Sequence, residues 1–406
     1  MQLDFDLEQF IRQKVTRRPE SLLAADLAQC GGELHARLDG RNVLVIGGAG
    51  SIGSAYIKAL LRFPIASLCV IDLNENGLTE LVRDLRSTEG LRLPERLLTY
   101  PVNFGDSVFE KIFRNRGPFE VVANFAAHKH VRSEKDIFSV EAMIENNVFR
   151  ARNLLDLLSA NRPERFFCVS TDKAANPANI MGASKKLMEE VILAFAERVP
   201  VTTARFANVA FSNGSLPLGF LERMSRRQPW SCPRGIRRFF VSPQEAGEIC
   251  LMTSILGHSG EICFPKLDES RDLLAFEQVA LMLLEVLGLE PDLCASEEEA
   301  RQKAAARKAD SRSYPVYFFE SDTSGEKPTE EFVAQGEEAD LERFAGLGVI
   351  RSARRRTLAE VDARIARLRD CFSRADVTKS EVVEVLREYL PTFEHVEKGK
   401  QLDQRM

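Results

Sequence analysis

The strongest constraint on the fold of this chain is a short apolar run that ends in spaced glycines. Val43–Ile46 reads as a strand, Gly47-Gly48-Ala49-Gly50-Ser51-Ile52-Gly53 follows it, and the helical pattern GSAYIKALLRF comes next. Glycines at 47, 50 and 53 allow a tight turn, close approach of the backbone to a pyrophosphate, and close packing of the new helix on the strand. The helix start, with Ser51, Ile52 and Gly53, offers N–H donors and the positive end of a dipole. Asp72 ends the next apolar run, SLCVID, 19 residues past Gly53. A carboxylate there accepts from a ribose 2′-hydroxyl and repels a 2′-phosphate, which points to NAD rather than NADP. Asn103 and Asp106 in PVNFGD are expected either beside the adenine or as caps of the following helix.

From Asn42 onward, apolar runs (NVLVI, SLCVID, LLTYPV, VVANFAA, RFFCVS, TTARF) alternate with amphipathic stretches such as NVFRARNLLDLLSA. This rhythm predicts an α/β fold, a Rossmann-type doubly wound parallel sheet, with a smaller C-terminal substrate-binding α/β region. The expected divisions are a helical extension over 1–40, a nucleotide-binding core over 41–205, a substrate-binding region over 206–350, and a helical tail over 351–406. After Arg205 the segments become rich in Gly, Pro, Ser and Arg, and the charged, alanine-rich stretch 296–311 reads as an exposed helix or hinge. The tail is expected to cap the substrate region or to mediate self-association, in keeping with a homo-oligomer.

Bulk properties remove several function classes. The net charge of −5, from 55 basic and 60 acidic residues, argues against a nucleic-acid or anionic-membrane partner. Eight widely spaced cysteines, with no CxxC pair and no histidine at metal spacing, read as reduced thiols and predict no metal site. Cys69, Cys168 and Cys263 lie in apolar runs and are expected to be buried structural thiols. Apolar runs stay well short of the roughly 18 residues of a membrane span, so no span and a cytoplasmic location are expected.

Five segments occur in one order: the glycine motif with Asp72, FAAHKHV at 125–131, STDKAANPANIMGASK at 170–185, ARFANVAFSNGS at 204–215, and RRFFVSPQEA at 237–246. Together they resemble the extended short-chain dehydrogenase/reductases, and among them the polysaccharide-biosynthesis UDP-N-acetylglucosamine 4,6-dehydratases. Ser324-Gly325-Glu326-Lys327 is similar to a late motif of that family. Many bacterial relatives carry this domain behind membrane helices, and this chain looks like a version without them. Most short-chain dehydrogenases use Tyr-x-x-x-Lys; here Met181 stands in the tyrosine's place, four residues before Lys185. A thioether cannot usefully accept or deliver a proton. One branch of these dehydratases carries methionine there and pairs it with Thr-Asp-Lys, which matches Thr171-Asp172-Lys173.

The resemblance implies NAD-dependent 4,6-dehydration of a UDP-N-acetylhexosamine, UDP-N-acetylglucosamine first, to the 4-keto-6-deoxy sugar with retention at C5, for a bacterial surface glycan or rare sugar. Asp172 is expected as the acid at O6, Lys173 as the C5 base, Thr171 as a partner of the 4-hydroxyl, and Lys185 as the holder of the nicotinamide ribose. Ala126 is expected at the cofactor. A C4 redox epimerase and a non-catalytic regulator that binds NAD or a nucleotide sugar are the rival readings. As a base, Lys173 must fall from about 10.4 toward neutrality, a gap of about 3.4 units or roughly 4.6 kcal/mol. Burial and the nearby Lys185 are expected to lower it, while Asp172 beside it opposes the shift. Lys129, His130, Arg205, Asn208, Ser215 and Arg238 are expected along the sugar-nucleotide cleft, each arginine reading equally well as a structural ion pair. His128 is expected in the core.

Overall fold

The computed structural model describes residues 5–129, 134–308, 310–320, 330–351, 353, 355–390, 393 and 395. His130 and the segment Ser324–Lys327 lie outside them.

Six strands follow in chain order: β1 (Asn42–Ile46), β2 (Ser67–Asp72), β3 (Arg96–Pro101), β4 (Val121–Asn124), β5 (Arg165–Val169) and β6 (Val201–Ala204). They pair in parallel as β3-β2-β1-β4-β5-β6. The centres of β1, β2, β4 and β5 are continuous apolar runs because helices cover both faces, while β6 buries Thr202 and Thr203. The strand order reverses between β1 and β4, which opens a crevice at their carboxyl ends.

Beyond Arg205 the chain forms β7 (Asn208–Val209), β8 (Trp230–Arg234), β9 (Arg237–Val241), β10 (Glu261–Pro265), β11 (Leu273–Ala275), β12 (Glu290–Cys294), β13 (Ser313–Glu320), β14 (Ala339–Asp340) and β15 (Leu347–Ile350). Two small sheets, β11-β9-β7 and β12-β13-β8, build a lobe around Trp230, Phe220 and Phe240. The expected division at residue 205 does not separate two units. β10 joins the main sheet in parallel beside β6, and β15 and β14 extend it antiparallel. The helix Pro243–Leu256, started by a capping box of Ser242 and Glu245, packs on the main sheet and is buried nearly all round.

The two flanking segments have definite places. In the N-terminal extension, Phe10, Ile11 and Val15 enter the lobe core, while Arg18 pairs with Glu245 at 2.7 Å and Asp272 at 3.0 Å. The tail forms the helices Leu358–Phe372 and Lys379–Tyr389. They cover the nucleotide-binding layer rather than the substrate region, and Arg152 holds Asp362 at 2.7 Å. Arg364 also meets Glu190 on the helix Ile180–Ala194. The stretch near 296–311 contains the helix Glu297–Ala306, mostly exposed, with Ala300 and Ala304 turned inward. Among the described residues, no helix is long and apolar enough to cross a membrane.

Candidate active site

The first half of the site is made by backbone. Gly47 has φ +77, and a Cβ there would meet the Ala126 backbone nitrogen at 2.6 Å. A Cβ on Gly53 would meet the Gly47 carbonyl oxygen at 2.2 Å, so the loop and the helix it starts close only with glycine at both positions. Gly50 caps the helix Ser51–Leu60 without a side-chain acceptor, which leaves the helix N-terminus to present its own N–H groups. Asp72 is pinned at the end of β2: its Oδ2 accepts from Ala49 N and its Oδ1 from Asn74 N, both at 2.9 Å. A cleft of about 260 Å³ opens here, and Gly47, Gly50, Ser51, Ile52, Gly53, Asp72, Asn103 and Ala126 all line it. Asn103 also accepts from Gly105 N at 2.8 Å, whereas Asp106 precedes the next helix without a side-chain cap bond. These features fit a dinucleotide, because a pyrophosphate needs the bare backbone and a ribose needs the carboxylate. His128 lines the same cleft and is exposed, contrary to the core position expected of it; the loop after β4 ends at the crevice and not in the packed layer.

The second half is made by side chains. β5 ends at Val169, and two residues on Thr171 precedes the 3-10 turn Asp172–Ala174. Thr171 Oγ1 donates to Asp172 Oδ1 at 2.7 Å, and Lys173 Nζ lies 3.2 and 3.1 Å from the two Asp172 oxygens. Asp172 is buried, while 31% of the Lys173 side chain stays open. Glu330, distant in sequence, completes this group. It is 7% exposed and accepts from Asn208 Nδ2 at 2.6 Å and from Phe239 N at 2.9 Å, with Arg238 Nε 3.7 Å away. Burial, then the charge of Asp172, push the Glu330 carboxyl up to about 7 against the pull of Lys173 and Arg238. Asn208 and Arg238, expected as substrate contacts, are thus engaged with Glu330.

Lys173 departs from the expected electrostatics. Burial disfavours its ammonium, but Asp172 and Glu330 outweigh burial and the net effect raises its pKa. The cation acting on it is Arg238 rather than Lys185. Lys185 is itself buried and lowered by desolvation, and its Nζ donates to Val169 O at 2.7 Å. It does not line the glycine cleft. Met181 is 2% exposed in the first turn of the helix Ile180–Ala194, where its N–H donates to Glu134 Oε1 at 2.9 Å. Buried Asn147, in a π-turn over Glu145–Phe149, donates to His128 O and to Ser184 Oγ, both at 3.0 Å. It thereby ties the cleft wall to the helix that carries Met181 and Lys185, a role that the sequence reading missed.

Arg205 leaves the set of expected substrate contacts. It is fully buried, and its guanidinium donates to Glu189 at 3.0 and 2.9 Å, to Phe332 O at 2.7 Å, and to Glu337 at 2.5 and 2.8 Å. No N–H is left for a ligand. Ser215 caps the helix Leu216–Ser225 by accepting from Leu218 N at 3.4 Å. Lys129 does sit at the cleft, where its Nζ donates to Asn213 O at 3.0 Å; Asn213 N in turn donates to Ser51 Oγ at 2.8 Å, joining three loops at the rim.

Fold and site together define a Rossmann-type α/β protein with a dinucleotide-shaped cleft and a buried charge cluster after β5. The chain belongs to the polysaccharide biosynthesis protein family, whose model matches residues 43–345. It is 30% identical over 259 residues to an uncharacterized membrane protein of Methanocaldococcus jannaschii, covering 62% of this chain and 74% of that one. It is 26% identical over 255 residues to a UDP-N-acetylglucosamine 4,6-dehydratase (inverting) of Campylobacter jejuni, covering 56% and 68%. The match to a probable polysaccharide biosynthesis protein of Bacillus subtilis, 28% identical, covers 57% of this chain and 38% of that protein. In fold it is similar to a dTDP-glucose 4,6-dehydratase, DesIV of Streptomyces venezuelae, with a TM-score of 0.56 at 19% identity over 80% of this chain and 96% of that one.

Proposed function

We propose that this chain is an NAD-dependent nucleotide-sugar 4,6-dehydratase acting on a UDP-N-acetylhexosamine, UDP-N-acetylglucosamine first, in the making of a surface glycan or rare sugar. The observation that carries this reading is the hydrogen-bonded Asp172–Lys173 pair at the carboxyl end of β5, beside a helix whose tyrosine position holds Met181. Gly47, Gly50, the helix start at Ser51–Gly53 and Asp72 would hold the cofactor, and the chemistry it supplies when bound is reversible hydride storage, taken from C4 and given to C6. Dehydration then needs one base and one acid.

Lys173 as resting ammonium is no base. Passing its proton across the 3.1 Å contact to Asp172 creates a neutral amine and a carboxylic acid in one event. The amine removes the C5 proton, which the C4 ketone has made acidic. The C5=C6 double bond forms, the C6–O bond breaks, and O6 takes the Asp172 proton and leaves as water. Lys173 is again an ammonium and Asp172 a carboxylate; once Lys173 has given its proton to C5 it is a neutral amine, and it regains from solvent the equivalent of the proton that the 4-hydroxyl releases as hydride leaves C4. When Lys173 returns a proton to C5, it does so on the face from which the proton left. This supports retention at C5, in contrast to the inverting activity named for the Campylobacter jejuni relative.

Incubation with UDP-N-acetylglucosamine, followed by proton NMR, tests the reading. A new C6 methyl signal with loss of the C4 proton is expected. Interconversion of C4 epimers would replace the dehydratase with the epimerase, and bound NAD without turnover would favour the regulator.

A further inference from the structure

The crevice at the carboxyl ends of the strands has a counterpart at their amino ends. There the residue before β1, the loop that enters β5, the residue before β6 and the last turns of the helices Ala24–Leu38 and Pro243–Leu256 enclose a cavity of about 540 Å³. That volume lies within the roughly 300–1,000 Å³ of small-molecule sites. Four arginines line it, Arg37, Arg41, Arg162 and Arg165, against one glutamate, Glu164. Arg37 is spent inside the fold, on Glu33 at 2.6 Å and on Ile255 O at 2.8 Å. Arg41 meets Glu164 at 3.2 Å through one terminal nitrogen, while its Nε is buried and has no hydrogen-bond partner among the described residues. Arg162 and Arg165 make neither an ion pair nor a side-chain hydrogen bond among the described residues. Arg165 is partly buried, and burial, then the charge of Arg37, pull its guanidinium below the usual value against Glu164 and Glu33. In a chain with a net charge of −5, gathering guanidinium groups without matching carboxylates costs stability by self-repulsion, and a bound anion relieves it.

We infer that this cavity is a second ligand site, at the opposite end of the sheet from the Asp172–Lys173 corner, and that it takes an organic diphosphate. The phosphoryl oxygens lie among Arg41, Arg162 and Arg165, whose planar forks suit phosphate two bonds at a time. The organic body lies against the apolar part of the wall, Pro163, Pro200 and Ile255. A nucleoside diphosphate and an isoprenoid diphosphate share this chemistry. The inference does not depend on the dehydratase reading, because no residue of this cavity lines the glycine cleft or belongs to the Asp172–Lys173 corner.

The test uses the full chain as wild type and as the double variant Arg162→Gln/Arg165→Gln. Calorimetric titration with inorganic pyrophosphate at constant ionic strength should show binding to the wild type that weakens at least about tenfold in the double variant. Hydrogen exchange should show pyrophosphate slowing amides around 36–42 and 162–166 in the wild type alone. UDP and geranyl diphosphate then separate the two sources. The one that fits should bind at least about tenfold tighter than pyrophosphate, read from the binding component that the double variant loses. Pyrophosphate binding that is absent, or equal in the two proteins, would overturn the inference, as would protection confined to the glycine loop. So would UDP and geranyl diphosphate if neither gains over pyrophosphate at this site. If the double variant fails to fold by circular dichroism, Arg162→Gln alone, at an exposed position, replaces it. Pyrophosphate should then bind about threefold more weakly, and an unchanged affinity would overturn the inference.

Discussion

Two buried charge clusters stand on neighbouring strands and use the same residue types. At one, Glu189 faces Arg205 and Lys186, with Glu337 on the far side of the guanidinium. Burial works against the Glu189 charge, but Arg205 and Lys186 hold its carboxyl down to about 2. At the other, Glu330 has Arg238 only at 3.7 Å and shares its corner with Asp172, and its carboxyl is pushed up to about 7. The first cluster has every donor matched and every charge settled. In the second, burial and the charge of Asp172 outweigh the pull of Lys173 and Arg238. Burial alone therefore does not set the direction in which a carboxyl shifts; the charges of its nearest neighbours do.

The difference can be pressed by substitution. The largest effect is expected in the second cluster: Lys173→Met should reduce turnover by at least about a thousandfold while NAD still binds, and unchanged turnover would remove Lys173 as the base. In the first cluster, Arg205→Met leaves buried Glu189 with only Lys186 at 3.4 Å and the Ser170 hydroxyl at 2.7 Å. It should cost about 3–5 kcal/mol in urea unfolding, whereas Arg238→Met should cost clearly less. Equal costs would erase the distinction. Next comes the pH dependence of stability. Because the folded Glu330 carboxyl lies above its unfolded value, the stability it contributes is present below about pH 4.5 and is lost as pH rises through about 7. Relative to Glu330→Gln, the wild type should lose on the order of 3 kcal/mol across that window, read as the unfolding midpoint against pH. The smallest effect concerns the glycine cleft: Asp72→Ala should weaken NAD binding by about 10- to 100-fold by calorimetry.

Much of the fold was legible because its causes are local. β1 and β2 coincide with the apolar runs NVLVI and SLCVID, and Gly47, Gly53 and Asp72 act through backbone geometry that a short stretch of sequence encodes. The side-chain half was legible only where its members are adjacent, as at Thr171, Asp172 and Lys173. Glu330 lies 158 residues after Asp172, and only the tertiary fold brings them together. Arg205 was misassigned because an arginine after a strand looks alike whether it meets a ligand or an inward glutamate. The helix Ile180–Ala194 held a usable signal: Met181, Lys185 and Glu189 recur every four residues, so the face that carries the first two must also carry a carboxylate in need of a cation. The expected lowering of Lys173 failed for a related reason, since Lys185 spends its ammonium on Val169 O and leaves Lys173 to two carboxylates.

The central claim is that one residue, Lys173, both removes and returns the C5 proton. Conversion of UDP-N-acetylglucosamine in D2O, read by proton NMR, tests it most directly. The account predicts a C6 methyl signal that appears as a singlet, because exchange at the lysine places deuterium at C5, with the configuration at C5 retained. A product inverted at C5 would contradict it, because a single base on one face cannot return the proton to the other.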